Sequence, residues 1–102
     1  MLELRPTCEN CQTKLPPHSR EAMICSFECT YCAECVRDVL QNVCPNCGGG
    51  FCQRPVRPNT DLVGNTSLAK YPASSTRVHK TVDPSAHQAL VDRIAKTPPE
   101  AR

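Results

Sequence analysis

Two stretches of the chain repeat apolar residues at helical spacing. The first is Val36, Val39, Leu40 and Val43, at i, i+3, i+4 and i+7, which predicts one short central helix. The second is Ala86, Leu90 and Ile94, joined by Ala89 and Val91, which predicts a helix near 84–96. Asp83 can cap that helix, Pro84 suits its first position, and Pro98-Pro99 stops it. A helix of about 12 residues is marginal alone in water, so this one must dock or flicker. Met23-Ile24 reads as a short strand packed on the central helix. From residue 53 to about 82 no such pattern exists: Pro55 and Pro58 favour extended backbone, and Tyr71–Arg77 is polar and turn-forming. There is no internal repeat. The predicted core is small: Leu15, Ile24, Phe27, Tyr31, Val36, Val39, Leu40 and Phe51.

Composition explains how so small a core could suffice. Aromatics are 4% of the 102 residues and Trp is absent, but nine residues are cysteine. Crosslinks or metal, not core size, usually hold such a short fold. No apolar run nears the ~18 residues a membrane span needs. The start, Met1–Pro6, lacks the basic patch and apolar stretch of a secretory signal. A cytoplasmic protein without a membrane partner is therefore expected, and in that compartment cysteines serve as thiolate ligands more often than as disulfides.

All nine cysteines lie in residues 1–52, at 8, 11, 25, 29, 32, 35, 44 and 47, with Cys52 left over. The spacing is C-x2-C, x13, C-x3-C-x2-C-x2-C, x8, C-x2-C. A two-residue gap lets a tight turn point both sulfurs at one metal, while backbone N–H groups of the turn donate to the thiolates. Four thiolates make a closed structural Zn²⁺ site with no position for a substrate water. The expected ligands are thus Cys8, Cys11, Cys25, Cys29, Cys32, Cys35, Cys44 and Cys47, around two zinc ions. Their order suggests interleaving, with Cys8/Cys11/Cys32/Cys35 around one ion and Cys25/Cys29/Cys44/Cys47 around the other. A sequential arrangement, 8/11 with 25/29 and 32/35 with 44/47, uses the same ligands. An iron–sulfur cluster is a rival, since Cys29-x2-Cys32-x2-Cys35 matches the opening of a bacterial ferredoxin run, but the gap to Cys44 is too long. Eight cysteines could also form a disulfide framework in 105 ways, none selected by sequence.

This cross-brace spacing resembles the RING finger family, with cysteine at all eight ligand positions. The resemblance implies a treble-clef-type α+β domain with its helix between Cys35 and Cys44. Tyr31 stands where such domains often carry an aromatic, and Cys44-Pro45-Asn46-Cys47 resembles their closing knuckle. Ubiquitin transfer is not implied. Asn10 replaces the usual aliphatic residue between the first two ligands, Gly48 follows the last, and Trp is missing. Arg5–Cys11, Ile24–Cys35, Cys44–Gly50 and Arg77-Val-His-Lys80 are also similar to a family of short bacterial cysteine-rich proteins of unknown function. That resemblance implies a zinc-binding fold and a bacterial cytoplasmic setting.

Charge separates the halves. The formal balance is +2, but eight thiolates on two Zn²⁺ bring it nearer −2. Residues 1–52 hold four basic and six acidic groups; residues 53–102 hold eight and four, with six of the ten prolines. The expectation is a RING-like zinc domain at 1–52 and a Pro-rich, partly disordered, extended basic tail at 53–102. Arg54, Arg57, Lys70, Arg77 and Lys80 read as a solvated tail; for a nucleic-acid arm they lack density and aromatics. Cys52 reads as a small semi-buried group rather than a redox thiol. His18 reads as a solvated loop residue, and His79 and His87 have no partner at metal spacing. With the ligands saturated and no acid–base constellation left over, the chain reads as a non-catalytic module for a protein partner. A nucleic-acid adaptor and a redox protein are the alternatives.

Overall fold

The computed structural model describes residues 1–102. Strand β1 (Ala22–Ile24) lies between β2 (Thr30–Cys32) and β3 (Cys52–Gln53), all antiparallel, with Ala22 opposite Cys32 and Ile24 opposite both Thr30 and Cys52. The turn from β1 to β2 is tight: Glu28 N–H donates to the Cys25 carbonyl with Glu28 in the left-handed region at φ 65°. Directly after β2, helix α1 (Ala33–Cys35) runs into a π-helical turn, Val36–Leu40. The Cys32 sulfur caps α1 by accepting from Cys35 N–H. Gln41 and Asn42, both at positive φ, close the turn by donating to the Val36 carbonyl, which sends Val43 and Cys44 back into the core. The central helix therefore begins earlier than the apolar pattern predicts and ends earlier, because Val43 is buried from beyond the helix end.

The main core cluster contains Leu15, Ala22, Tyr31, Val36 and Leu40, together with six cysteines: Cys8, Cys25, Cys29, Cys32, Cys35 and Cys44. Val39 and Phe51 pack against it, and Phe51 meets Tyr31 edge to face at 5.5 Å. More than half of the cluster is sulfur side chain, so apolar burial alone is thin for a chain of this size. Phe27 departs from expectation. It is 72% exposed, because its N–H donates to the Cys25 sulfur and the turn holds the ring outside.

Residues 54–83 form no strand or helix, as their composition predicts, yet they run bound along the cysteine-rich half. Ser74 N–H donates to the Leu4 carbonyl, Lys80 N–H to the Glu9 carbonyl, and Arg57 to the carbonyls of Tyr71 and Leu2. Arg54 is not a solvated tail residue. It is 1% exposed and its guanidinium donates to the carbonyls of Arg5, Leu15 and Pro16. Burial, and then nearby Arg57, pull its pKa below the ordinary arginine value. Helix α2 (Pro84–Ile94) is capped by Asp83 as expected and docks through His87, whose Nε2 meets the Leu40 carbonyl at 2.9 Å. Docking answers the marginal stability of a lone helix of this length.

Candidate metal centre

Cys8, Cys11, Cys32 and Cys35 converge until their four sulfurs lie within 4.8 Å of one another. Cys25, Cys44 and Cys47 form a second group within the same limit. All nine cysteines are free. The first cysteine pair thus meets the third, and Cys25 meets the fourth pair. The sequential pairing is not the one formed. Cys29 is the one expected ligand outside the groups, with its sulfur beyond 4.8 Å of at least one of the three.

Two turns build these groups, and they share one hydrogen-bond pattern. Cys8 N–H donates to the Thr13 carbonyl, and Gln12 N–H donates back to the Cys8 carbonyl. Cys44 N–H donates to the Gly49 carbonyl, and Gly48 N–H donates back to the Cys44 carbonyl. The residue after each pair is left-handed, Gln12 at φ 63° and Gly48 at φ 78°. Both turns read C-x-N-C, and each asparagine reaches across to a sulfur of another pair. Asn10 Nδ2 donates to Cys35 Sγ and Asn46 Nδ2 to Cys29 Sγ, both at 3.3 Å. The second contact ties Cys29 to the second group although its sulfur stands outside.

Seven of the eight sulfurs accept or share such a bond. Backbone N–H groups of Phe27, Cys35, Asn46 and Gly49 donate to Cys25, Cys32, Cys44 and Cys47, each at 3.4 Å, and Thr13 Oγ1 lies 3.0 Å from Cys11 Sγ. Donors aimed at sulfur stabilise thiolate, the form that binds metal. Burial opposes ionisation and pushes the thiols of Cys29, Cys32, Cys35 and Cys44 up. For Cys11 burial is outweighed by hydrogen bonds from the Thr13 side chain and backbone and from Cys8 and Cys32, leaving its thiol at about 7. A divalent cation at the centre of either group would remove the opposition, because its charge offsets that of the thiolates.

The three histidines join neither group. His79 Nε2 meets Thr81 Oγ1, His87 docks α2, and His18 is exposed. Cys52 is exposed on β3, not semi-buried. The sequence reading missed Asn10, Asn46 and Thr13 as partners of the sulfurs. The signal available for two of them was the repeated C-x-N-C.

The family model described as a protein of unknown function, DUF1272, matches residues 1–57. The chain belongs to the DUF1272 family. An uncharacterized protein, R02474, of Rhizobium meliloti (strain 1021) is 55% identical over 80 residues, covering 78% of this chain and 88% of the relative. The resemblance carried by the cysteine strings is thus matched by a family. No solved structure matches the chain. This DUF1272 member carries two groups of cysteines that could hold metal ions, and none of its helices is long and apolar enough to cross a membrane.

Proposed function

We propose that this DUF1272 chain is a non-catalytic, two-zinc, RING-like module that presents a surface to a protein partner in the cytoplasm. One observation carries the metal assignment. Cys11 Sγ and Cys32 Sγ lie 3.7 Å apart. The edge of a tetrahedron with ~2.3 Å zinc–sulfur bonds is about 3.8 Å. A disulfide would hold sulfurs at ~2.05 Å. An iron–sulfur cubane interposes irons and sulfides between its cysteines and needs a wider cage. A tetrahedron of four thiolates suits zinc or a single iron, and a closed structural site is zinc's usual use.

In the second site Cys29 swings in as fourth ligand to Cys25, Cys44 and Cys47. With Cys8/Cys11/Cys32/Cys35 as the first site, the ligation interleaves as a cross-brace. Saturated tetrahedral sites leave no position for a reacting water, which supports a structural role. Phe27, Leu62 and Val63, all more than 70% exposed, supply apolar contacts for a partner.

Elemental analysis of the purified, reduced chain tests the metal half of this reading. Two zinc per chain and a colourless sample are expected; visible iron absorption or bridged thiols would overturn it. Affinity capture with wild type and with a Phe27→Asp, Leu62→Asp double variant tests the partner half. A partner bound by the wild type and lost by the variant is expected, and identical captures would count against these residues as the contact.

A further inference from the structure

A groove of about 280 Å³ lies between α2 and the Cys44–Cys47 turn. That is the small end of the ~300–1,000 Å³ range of ligand pockets, which restricts it to a small occupant. Val82, Ala86 and Leu90 give it an apolar wall, faced by Pro45. Tyr31 belongs to the same lining. It is fully buried, and its hydroxyl, beside the Asn46 side chain, makes no hydrogen bond of good geometry. A buried hydroxyl left unpaired carries its full desolvation cost, which a polar group of a ligand removes.

The polar residues of the groove are of two kinds. Lys80 and Asp83, both exposed, stand three residues apart, and neither takes part in an ion pair. One Asp83 oxygen caps Ser85 N–H, leaving the second oxygen available. His87 Nε2 is committed to the Leu40 carbonyl, which can only accept, so Nε2 carries a proton, and in the neutral ring Nδ1 is an acceptor. The lining thus offers a cation and a hydroxyl donor together with a carboxylate and a nitrogen acceptor, a set that complements a molecule bearing both an anionic and a cationic end.

We propose that this groove binds a free α-amino acid with an apolar side chain. Its carboxylate pairs with Lys80 and accepts from the Tyr31 hydroxyl. Its ammonium pairs with Asp83 and His87, and its side chain lies on Val82, Ala86 and Leu90. The occupant touches both halves of the chain, so binding fastens α2 to the cysteine-rich half.

Isothermal titration calorimetry of the full, metal-loaded chain with L-leucine tests this, with isoamylamine and isocaproate as probes lacking one charge each. Saturable one-site binding of L-leucine is expected, with each single-charge probe weaker by about tenfold or more. Lys80→Gln and Asp83→Asn, both at exposed positions, should each weaken leucine by about tenfold. Tyr31→Phe should weaken it while leaving Tm unchanged or higher, because it deletes an unpaired buried hydroxyl. A merely structural Tyr31 would not move affinity alone. No saturable binding of leucine, valine or phenylalanine up to about 10 mM, or equal affinity for the single-charge probes, would overturn the proposal.

Discussion

The two sulfur groups are built from the same turn and differ in what that turn meets. At Cys8–Cys11 the partner pair is Cys32-x2-Cys35, and Cys32 accepts from Cys35 N–H at the start of α1. Both partner sulfurs are delivered by one helical start, and four sulfurs converge. At Cys44–Cys47 the partner pair is Cys25-x3-Cys29, which flanks a turn whose extra residue, Glu28, takes left-handed backbone. Only Cys25 converges, while Cys29 is held by Asn46. One additional residue between two cysteines therefore separates a group with four converged sulfurs from one with three. Preorganisation of ligands is a free-energy difference, because ordering a side chain at binding opposes affinity.

Chelation is the largest way to break this comparison. With six cysteines in an eleven-residue core cluster, the proposed zinc sites predict that exhaustive removal of metal unfolds the cysteine-rich half, since structural zinc typically supplies on the order of 10 kcal/mol. Far-UV circular dichroism during titration with a strong chelator should show two steps, the second group releasing first. A chain that keeps its spectrum through chelation would remove metal from the account altogether.

Single ligand removals come next. Cys35→Ser takes a sulfur from the preformed group and should abolish binding there, with loss of cooperative thermal unfolding. Cys29→Ser leaves three converged sulfurs and should weaken the second site without destroying the fold, read as metal per chain after gel filtration. Equal damage from both would mean that the two groups become equivalent once loaded.

These residues also show what was legible beforehand. The grouping of seven of the cysteines could be read because a tight turn is a local object and its spacing survives in the sequence. The apolar stripe and the Asp83–Pro84 cap marked α2 for the same reason. Arg54 was not legible: its burial depends on three carbonyls from residues 5, 15 and 16, which converge only in the folded chain. Phe27 misled because hydropathy favours burial while one N–H to sulfur bond fixes the turn that carries it. Asn10 looked like a missing aliphatic contact. It is instead a donor to Cys35 whose Oδ1 also accepts from Val82 N–H at 2.8 Å.

That double role sets the third prediction. Groups that orient metal ligands typically change metal affinity 10–100-fold, roughly, when lost. Asn46→Ala should weaken the second site toward the low end of that range, since it also releases Cys29 to swing in. Asn10→Ala should weaken the first site more and loosen residues 80–82, because Val82 N–H loses its acceptor. Competition with a chromophoric chelator measures the first effect and amide exchange the second. Faster exchange at Val82 in Asn46→Ala but not in Asn10→Ala would separate the tail from the first site.

The smallest effects lie in the residue after each turn. Gln12 and Gly48 take the same left-handed backbone, but only glycine does so without steric cost, roughly 1 kcal/mol for other residues. Gln12→Gly should therefore stabilise the metal-loaded chain by up to about 1 kcal/mol, less the added freedom of its unfolded state. Gly48→Ala should do the reverse and somewhat more. A Cβ there would meet Ile94 Cδ1 of α2 at 3.2 Å, a contact that the end of the helix must yield to absorb. Paired thermal unfolding of the two variants, with metal in excess, isolates the backbone cost common to both turns. Any surplus loss in Gly48→Ala measures how firmly α2 rests on the second site. A Gly48→Ala variant as stable as the wild type would mean that α2 gives way freely there, leaving it anchored by the His87 contact with Leu40, buried Val91 and the Gln41–Gln88 hydrogen bond.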